Sequence, residues 1–103
     1  MDATYLVECF WPGVTRDAVR TAGGRLRECA LALRREGSSL RFLGSMLMPA
    51  DEVVFFRFAA ESDEEVVRAS RKAGLPFDRV CTLLWIEPEE GLLTGAEQNG
   101  GDA

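Results

Sequence analysis

Residues 40–60, LRFLGSMLMPADEVVFFRFAA, decide the fold of this chain. Two apolar segments, Leu40–Met48 and Glu52–Ala60, are separated by Pro49-Ala50-Asp51, and this pattern predicts a β-hairpin. Both faces of each strand carry apolar side chains, whereas a hairpin with one face in water alternates apolar and polar residues. We therefore expect one face to pack against helices and the other to contact a partner chain, a ligand, or both.

A strand and a long helix are predicted before the hairpin. The segment Thr4–Trp11 is rich in aromatic and β-branched residues, and Pro12-Gly13 ends it. Thr15 is the expected N-cap of a helix that continues to about Glu36. In the middle of this helix, Gly23-Gly24 predicts either a kink or a close approach to the sheet. The apolar stripe of the helix comprises Val19, Ala22, Leu26, Cys29, Ala30 and Leu33.

A second helix and a last strand are predicted after the hairpin. Ser62 is followed three residues later by Glu65, which is the spacing of a capping box at a helix start. Gly74 and Pro76 mark the end of this helix. The segment Arg79–Glu87, RVCTLLWIE, has the apolar and β-branched content of a strand. The predicted element order is therefore βαββαβ.

This element order predicts an α+β fold of the ferredoxin-like type, a four-stranded antiparallel sheet with both helices on one face. The expected strand order is 4-1-3-2, which places the first and third strands in the centre. The second face of the sheet would then expose an apolar patch of a size that is rare on a monomer. We expect a homodimer in which two sheets face each other in an α/β-barrel-like association, with any remaining space forming a pocket.

The length of 103 residues allows one domain with a real core. We assign this ferredoxin-like domain to residues 1–88 and a flexible, acidic and Gly-rich tail to residues 89–103. No apolar run approaches the roughly 20 residues of a membrane span. The first residues lack a basic region followed by an apolar secretory stretch. These features predict a cytoplasmic protein that does not enter a membrane.

The net charge of −5 argues against a nucleic-acid partner. Four of the acidic residues lie in the tail, and without them 13 acidic residues balance 12 basic ones, so the folded part is close to neutral. The first helix is rich in arginine, but Asp17, Glu28 and Glu36 are interleaved with the basic residues. This arrangement is typical of a solvated helix face.

The chain contains no histidine, which removes Ser-His-Asp and Cys-His catalysis and the commonest transition-metal ligand. The three cysteines, Cys9, Cys29 and Cys81, are far apart and form no CxxC spacing. Each is expected to be a small apolar residue in the core. We predict no metal site and no cofactor.

Three segments, TYLVECFWPG, LRFLGSMLMPADEVVFFRF and AAESDEEVVRASRKAGLPFDRV, resemble the small ferredoxin-like proteins grouped with the SCO-type nickel-binding protein. The resemblance covers about Thr4 to Pro88, and most members of that group have no known function. It implies the ferredoxin-like fold and dimerisation.

The resemblance does not extend to the potential metal ligands. Leu43-Gly44-Ser45-Met46 stands where the family pattern has Leu-His-Ser-Tyr, so the histidine is missing. Phe56 and Phe58 replace a cysteine and a tyrosine, and Thr82 replaces a glutamate. A nickel or zinc site would have to use Glu8, a cysteine and water, which is poor ligand density for these metals. Nickel binding is therefore not carried over to this chain.

Two charges, Glu8 and Arg57, lie inside otherwise apolar strands, and they are our candidate catalytic residues. If the first and third strands are central neighbours, the two side chains could meet on the second sheet face. Arg57 would then hold a carbonyl, enolate or carboxylate, and Glu8 would transfer a proton if desolvation raises its pKa. The alternatives are a structural ion pair, or an Arg57 side chain that extends to solvent from an edge.

Alternation assigns apolar residues to the same face as this pair. If Val7, Cys9, Phe56 and Phe58 face the helices, then Phe10 and Phe55 accompany Glu8 and Arg57. From the second strand, either Phe42 with Met46 or Leu43 with Leu47 completes the lining. Trp85 lies on whichever face Cys81 and Leu83 share. The candidate ligand-binding residues are Phe10, Phe42, Met46, Phe55, Thr82 and Trp85.

Three functions are consistent with this pattern. The first is a small dimeric protein that binds an apolar small molecule in a cavity on the sheet face and acts as a cofactor-free cyclase or isomerase of natural-product biosynthesis, by analogy of fold. The second is a non-catalytic protein that binds the same kind of ligand. The third is a metal-binding member of the family.

Overall fold

The computed structural model describes residues 1–89, and the predicted tail, apart from Glu89, lies outside them. The four strands are β1 (Ala3–Phe10), β2 (Arg41–Met48), β3 (Val53–Ala60) and β4 (Arg79–Leu83). The two helices are α1 (Arg16–Arg35), between β1 and β2, and α2 (Asp63–Lys72), between β3 and β4. The predicted βαββαβ order is confirmed.

The sheet is antiparallel throughout and has the strand order β2-β3-β1-β4. This is the predicted order, with β1 and β3 in the centre and β2 and β4 at the edges. Residues directly opposite each other in the two central strands include Leu6 and Arg57, Val7 and Phe56, and Glu8 and Phe55.

The core lies between one face of the sheet and the two helices. Val7 from β1 and Phe56 and Phe58 from β3 are fully buried. From the helices, Leu26 and Val66 pack into the same cluster. Because both helices contribute to this cluster, they cover the same face of the sheet. Other members are Cys9, Val19, Ala22, Ala30, Leu33, Leu40, Val54, Ala60, Ala69 and Leu75.

The helix ends follow the sequence except at the start of α2. Thr15 caps α1 as predicted, since its hydroxyl accepts a hydrogen bond from the Ala18 backbone N–H at 3.1 Å. Ser62 is the N-cap of α2, but its side chain makes no capping hydrogen bond. The predicted capping box does not form, because the Glu65 carboxylate accepts instead from the Ser38 hydroxyl at 2.9 Å. Glu65 thus joins α2 to the segment that precedes β2.

The last strand is shorter than predicted. It ends at Leu83, so Leu84, Trp85 and Ile86 lie beyond the sheet although the sequence pattern continues to Glu87. The pairing of β4 with β1 ends near the first residues of β1, where Leu83 is opposite Thr4. No backbone of β1 remains to extend the ladder much further.

The two adjacent glycines of α1 have different surroundings. A Cβ atom at Gly23 would lie 3.2 Å from Ser45 Oγ and 3.5 Å from the Phe42 ring, whereas one at Gly24 would meet nothing within 4 Å. Gly23 therefore allows α1 to approach β2 closely. The sequence predicted either this close approach or a kink.

This difference predicts opposite outcomes for two alanine substitutions. Gly24→Ala is expected to raise the free energy of unfolding by roughly 0.5–1 kcal/mol, because alanine loses less backbone entropy in a helix. Gly23→Ala should give less stabilisation or none, since its Cβ is crowded by Ser45. Urea denaturation of both variants measures the difference, and equal stabilisation by the two substitutions would contradict the close approach.

Candidate functional site

The sheet surface that the helices do not cover is called here the open face. In the central strands it carries Leu6, Glu8 and Phe10 from β1 and Val53, Phe55 and Arg57 from β3, because their neighbours Val7, Cys9, Val54, Phe56 and Phe58 are buried in the core. The sequence assigned Glu8, Phe10, Phe55 and Arg57 to this face. In β4 the register places Arg79, Cys81 and Leu83 on the open face, opposite Glu8, Leu6 and Thr4.

A β-bulge decides which residues of β2 belong to the open face. Phe42 is opposite Phe58 and Gly44 is opposite Arg57, so the register shifts by one residue at Leu43. As a result, Phe42 lies on the helix side while Leu43 and Gly44 both lie on the open face. The next residues alternate normally, with Ser45 and Leu47 toward the helices and Met46 and Met48 on the open face.

The sequence offered two pairs of β2 residues for the open face, Phe42 with Met46 or Leu43 with Leu47. In each pair, one residue lies on the open face and the other does not. Met46 lines the open face, but Phe42 does not, since its ring packs on the core at 5.3 Å from the Phe58 ring centre. Leu43 lines the open face, but Leu47 does not. A regular alternation cannot give this result, because the extra residue of the bulge changes the parity of the strand.

Glu8 is paired with Arg79 and not with Arg57. The Arg79 Nε–H donates to a Glu8 carboxylate oxygen, and the two residues are directly opposite each other in the β1–β4 ladder. The side chain of Glu8 is 24% exposed. The carboxylate raises the pKa of Arg79, chiefly through this hydrogen bond. The predicted Glu8–Arg57 pair is thus corrected, since Arg57 is opposite Leu6 and only diagonal to Glu8.

Arg57 is a half-buried cation with apolar neighbours. Leu6 is opposite it in β1 and Gly44 is opposite it in β2. Within residues 1–89, none of the ion pairs includes Arg57. A Cβ atom placed on Gly44 would meet nothing within 4 Å, so the surface beside Arg57 is open at this position. An arginine within an apolar surface can hold an oxyanion or a carbonyl oxygen.

The open face exposes several large apolar side chains. Phe10 is 60% exposed, Met46 is 41% exposed and Met48 is 45% exposed. Leu6, Val53 and Phe55 are partly buried on the same surface. A contiguous apolar surface of this kind is a usual mark of an interaction site.

The remaining candidate residues do not join this surface. Thr82 is opposite Tyr5, two residues from the buried Val7, and so lies on the helix side of the sheet edge. Trp85 lies beyond the end of β4 and is 80% exposed. Of the six ligand-binding candidates, the structure brings together Phe10, Met46 and Phe55. Sequence analysis missed Arg79 and Met48, and for Arg79 the available signal was its shared parity with Cys81 and Leu83.

The clefts found in the described part of the chain lie elsewhere. One of about 380 Å³ lies between α1 and β2, and one of about 200 Å³ lies between α1 and the start of β2. A third, of about 270 Å³, lies at the end of β1, where Phe10 lines it together with Cys9, Trp11, Arg25, Phe77 and Asp78. Phe10 is the one open-face residue that lines any of these three clefts, and neither Glu8 nor Arg57 lines one of them.

Cys9 and Asp78, which lie together at the end of β1, have structural roles. Burial is the main cause that raises the pKa of the Cys9 thiol to about 12, so this thiol stays protonated at neutral pH. Asp78 is engaged structurally, since its carboxylate accepts from the Phe10 N–H at 2.6 Å. Between residues 1 and 89, no three histidine, cysteine, aspartate or glutamate side chains gather in a way that could hold a metal ion. The donor set implied for nickel does not fit this part of the chain.

Comparison with known proteins identifies a structural neighbour. No protein-family model matches this chain, and a search of curated proteins finds no match. The crystal structure of SCO4226 from Streptomyces coelicolor A3(2) superposes with a TM-score of 0.62 and 20% sequence identity, covering 82% of this chain and 100% of that one. At this identity the comparison establishes a shared fold, consistent with the SCO-type resemblance of the sequence. In addition, no helix among the described residues is long and apolar enough to cross a membrane.

Proposed function

We propose that this protein is a homodimer that binds an apolar small molecule with an anionic or carbonyl oxygen between two open faces. The single observation that carries this proposal is Arg57, a half-buried cation in an apolar surface, with no side chain at the neighbouring Gly44 to cover it. When a second copy covers the surface, the guanidinium loses water and needs an acceptor. A ligand oxygen would supply the acceptor, and the surrounding Leu6, Met46 and Phe55 would contact the apolar part of the ligand.

The contacts favour binding over proton transfer. The Glu8 carboxylate is already neutralised by Arg79 across the β1–β4 ladder. Arg57, in contrast, forms no ion pair with a carboxylate of the described residues. The charged group available to bind a ligand is therefore the Arg57 guanidinium.

A cofactor-free cyclase or isomerase is the second candidate function. The observation in its favour is that Glu8 lies on the open face with Arg57 and is only 24% exposed, so a ligand held by Arg57 would lie near a carboxylate. Its test is the turnover of a polyketide-type substrate. Catalysis predicts that Glu8→Gln abolishes turnover while the protein stays folded and dimeric, and unchanged turnover would remove Glu8 from the mechanism.

The proposal of ligand binding predicts a charge-dependent loss of affinity in Arg57→Gln. The probes are 8-anilinonaphthalene-1-sulfonate (ANS), which is apolar and anionic, and N-phenyl-1-naphthylamine, which has the same aromatic body without the sulfonate. Arg57→Gln is expected to weaken ANS binding about 10-fold, equivalent to about 1.4 kcal/mol, because the ion pair with the sulfonate is lost. Binding of the uncharged probe should change little. Fluorescence titration measures both affinities.

A matched variant controls for the loss of positive charge. Arg71 is exposed near the end of α2, on the opposite side of the sheet, and Arg71→Gln should leave both titrations unchanged. An equal loss of ANS affinity in the two variants would show that the probe responds to net charge alone. Sedimentation equilibrium on the same samples tests the dimer, and a monomer at all concentrations would contradict the proposed function.

A further inference from the structure

Five exposed arginines line the junction between α1 and the edge strand β2, and this surface is called here the arginine groove. Arg16 and Arg20 line the cleft of about 380 Å³, which lies toward the end of β2. Arg27, Arg34 and Arg41 line the cleft of about 200 Å³, which lies at the start of β2. No aspartate or glutamate of residues 1–89 lines either cleft.

Helix geometry separates these arginines from the acidic residues of α1. At 3.6 residues per turn, the four helical arginines of the groove lie within about 40° of one another around the helix axis. Asp17 and Glu28 lie about 100–120° away from Arg16 on the same axis. The charges that are interleaved in the sequence are thus on different sides of the helix, and the side next to β2 is basic.

Most of the positive charge in the groove is not neutralised within residues 1–89. Arg20 pairs with Asp17 at 2.7 Å. The other four arginines take part in none of the ion pairs of these residues. The Arg34 guanidinium donates to the Ser39 and Leu40 carbonyl oxygens at 3.3 and 3.5 Å, which leaves its charge without a counter-charge. A groove lined by charges of one sign attracts a segment of the opposite sign.

The tail assigned from the sequence, residues 89–103, has the complementary charge. It contains no lysine or arginine and four acidic residues, Glu89, Glu90, Glu97 and Asp102. Two leucines, Leu92 and Leu93, lie between these acidic residues. The groove has a matching apolar element in Leu31, which is 37% exposed and lies in the same cleft as three of the arginines.

The tail follows the strand end that is level with the start of the arginine groove. Leu83, at the end of β4, is opposite Thr4, and Thr4 is opposite Ala59. Ala59 is in turn opposite Arg41. Since these residues form one row across four strands, and neighbouring strands are about 4.8 Å apart, the backbones of Leu83 and Arg41 are about 14 Å apart.

The length of the tail is sufficient to reach the groove of its own chain. The six residues from Leu83 to Glu89 span at most about 20 Å, so Glu89 lies within about 34 Å of Arg41. The 14 residues that follow Glu89 can span up to about 46 Å. The acidic segment therefore reaches the groove from any position that Glu89 takes at the end of the sheet.

We infer that the acidic tail docks in the arginine groove of its own chain and places its carboxylates on the guanidinium groups between α1 and β2. Each exposed ion pair contributes little by itself and is screened by salt. Tethering in one chain gives the tail a high effective concentration at the groove, so several weak pairs act together. The inference does not rest on the proposed function, because the arginine groove borders α1 and does not include Arg57.

Neutralising the tail in the full chain tests this inference. One variant removes its four charges at constant length and leaves residues 1–88 unchanged: Glu89→Gln, Glu90→Gln, Glu97→Gln and Asp102→Asn. Backbone amide shifts are measured by two-dimensional NMR of the ¹⁵N-labelled chain. At about 0.01 M salt, where the Debye length is about 30 Å, the amides that line the arginine groove are expected to shift relative to the wild type. At about 1 M salt, where it is about 3 Å, the two spectra should agree in the groove.

The reciprocal variant changes the groove and reads the tail. Arg27→Gln with Arg41→Gln is expected to shift the amides of residues 90–103 at low salt. Arg25→Gln with Arg35→Gln is the matched control, because it removes the same charge from the other sides of α1. The control pair should leave the amides of the tail unchanged.

The outcomes distinguish the tail from other occupants of the groove. Groove amides that do not move when the tail is neutralised would overturn the inference and leave the groove to a separate acidic partner. Equal shifts of the tail in the groove variant and the control pair would show a response to net charge alone, which also overturns it. Shifts that grow with protein concentration would assign the docking to a second copy and refute docking within one chain. If the groove variant fails to fold, the tail variant still decides.

Discussion

Phe56→Ala is expected to lower the free energy of unfolding by about 3–5 kcal/mol. Phe56 is fully buried, and its ring centre lies 6.4 Å from that of Phe42, so the substitution removes contacts to the sheet and leaves a cavity under the helices. Since a domain of this size has a stability of about 5–15 kcal/mol, the loss is a large part of the total. Urea denaturation followed by circular dichroism measures it.

The neighbouring Phe55 is the matched control for this prediction. It is the same residue type in the same strand, but it lies partly buried on the open face. Phe55→Ala should change the stability of the isolated chain by much less than Phe56→Ala, and it is expected to weaken the proposed dimer. Since a dimer gains stability with concentration, both variants are compared at two protein concentrations. If the two variants lost the same free energy of unfolding at both concentrations, the assignment of Phe55 and Phe56 to opposite faces would be contradicted.

Met46→Lys is expected to weaken the proposed dimer about 100-fold, equivalent to about 3 kcal/mol. Met46 is 41% exposed on the open face and opposite Phe55, so the proposed interface would bury an ammonium group near Arg57 in each copy. Removing this charge from water without a partner is costly. Sedimentation velocity at micromolar concentration should show monomers, and circular dichroism should show an unchanged fold.

Leu31→Lys controls for the effect of adding a surface lysine. Leu31 lies on α1 and is 37% exposed, close to the exposure of Met46, but it is on the helix side of the molecule. The proposed dimer predicts that this variant sediments like the wild type. Dissociation by Leu31→Lys but not by Met46→Lys would place the interface on the helices and refute the face-to-face arrangement.

The sequence predicted the two faces of the central strands correctly because β1 and β3 alternate without interruption. Val7 and Phe56 point to the core, and Glu8 and Arg57 point away from it, as a period of two residues requires. The helix stripe was equally regular. For these elements, local pattern and tertiary packing agree, and one chain is enough to determine the orientation of each side chain.

The sequence failed where the outcome depended on register or on a distant partner. Alternation placed Phe42 and Met46 on one face, but the bulge at Leu43 and Gly44 separates them. The partner of Glu8 is Arg79, which follows from the alignment of β4 against β1 and cannot be obtained from either strand alone. The end of β4 likewise depends on where β1 begins, because unpaired backbone cannot continue a ladder.

The bulge in β2 also affects what an edge strand can assemble into. A straight outer strand offers a row of free N–H and C=O groups that can recruit further sheets side by side, and repetition of that contact produces fibres. The extra residue at Leu43 and Gly44 interrupts this row and increases the local twist. Growth by edge pairing is therefore disfavoured along β2. Gly44, which has a φ of 133°, thus makes β2 a poor template for the addition of further strands.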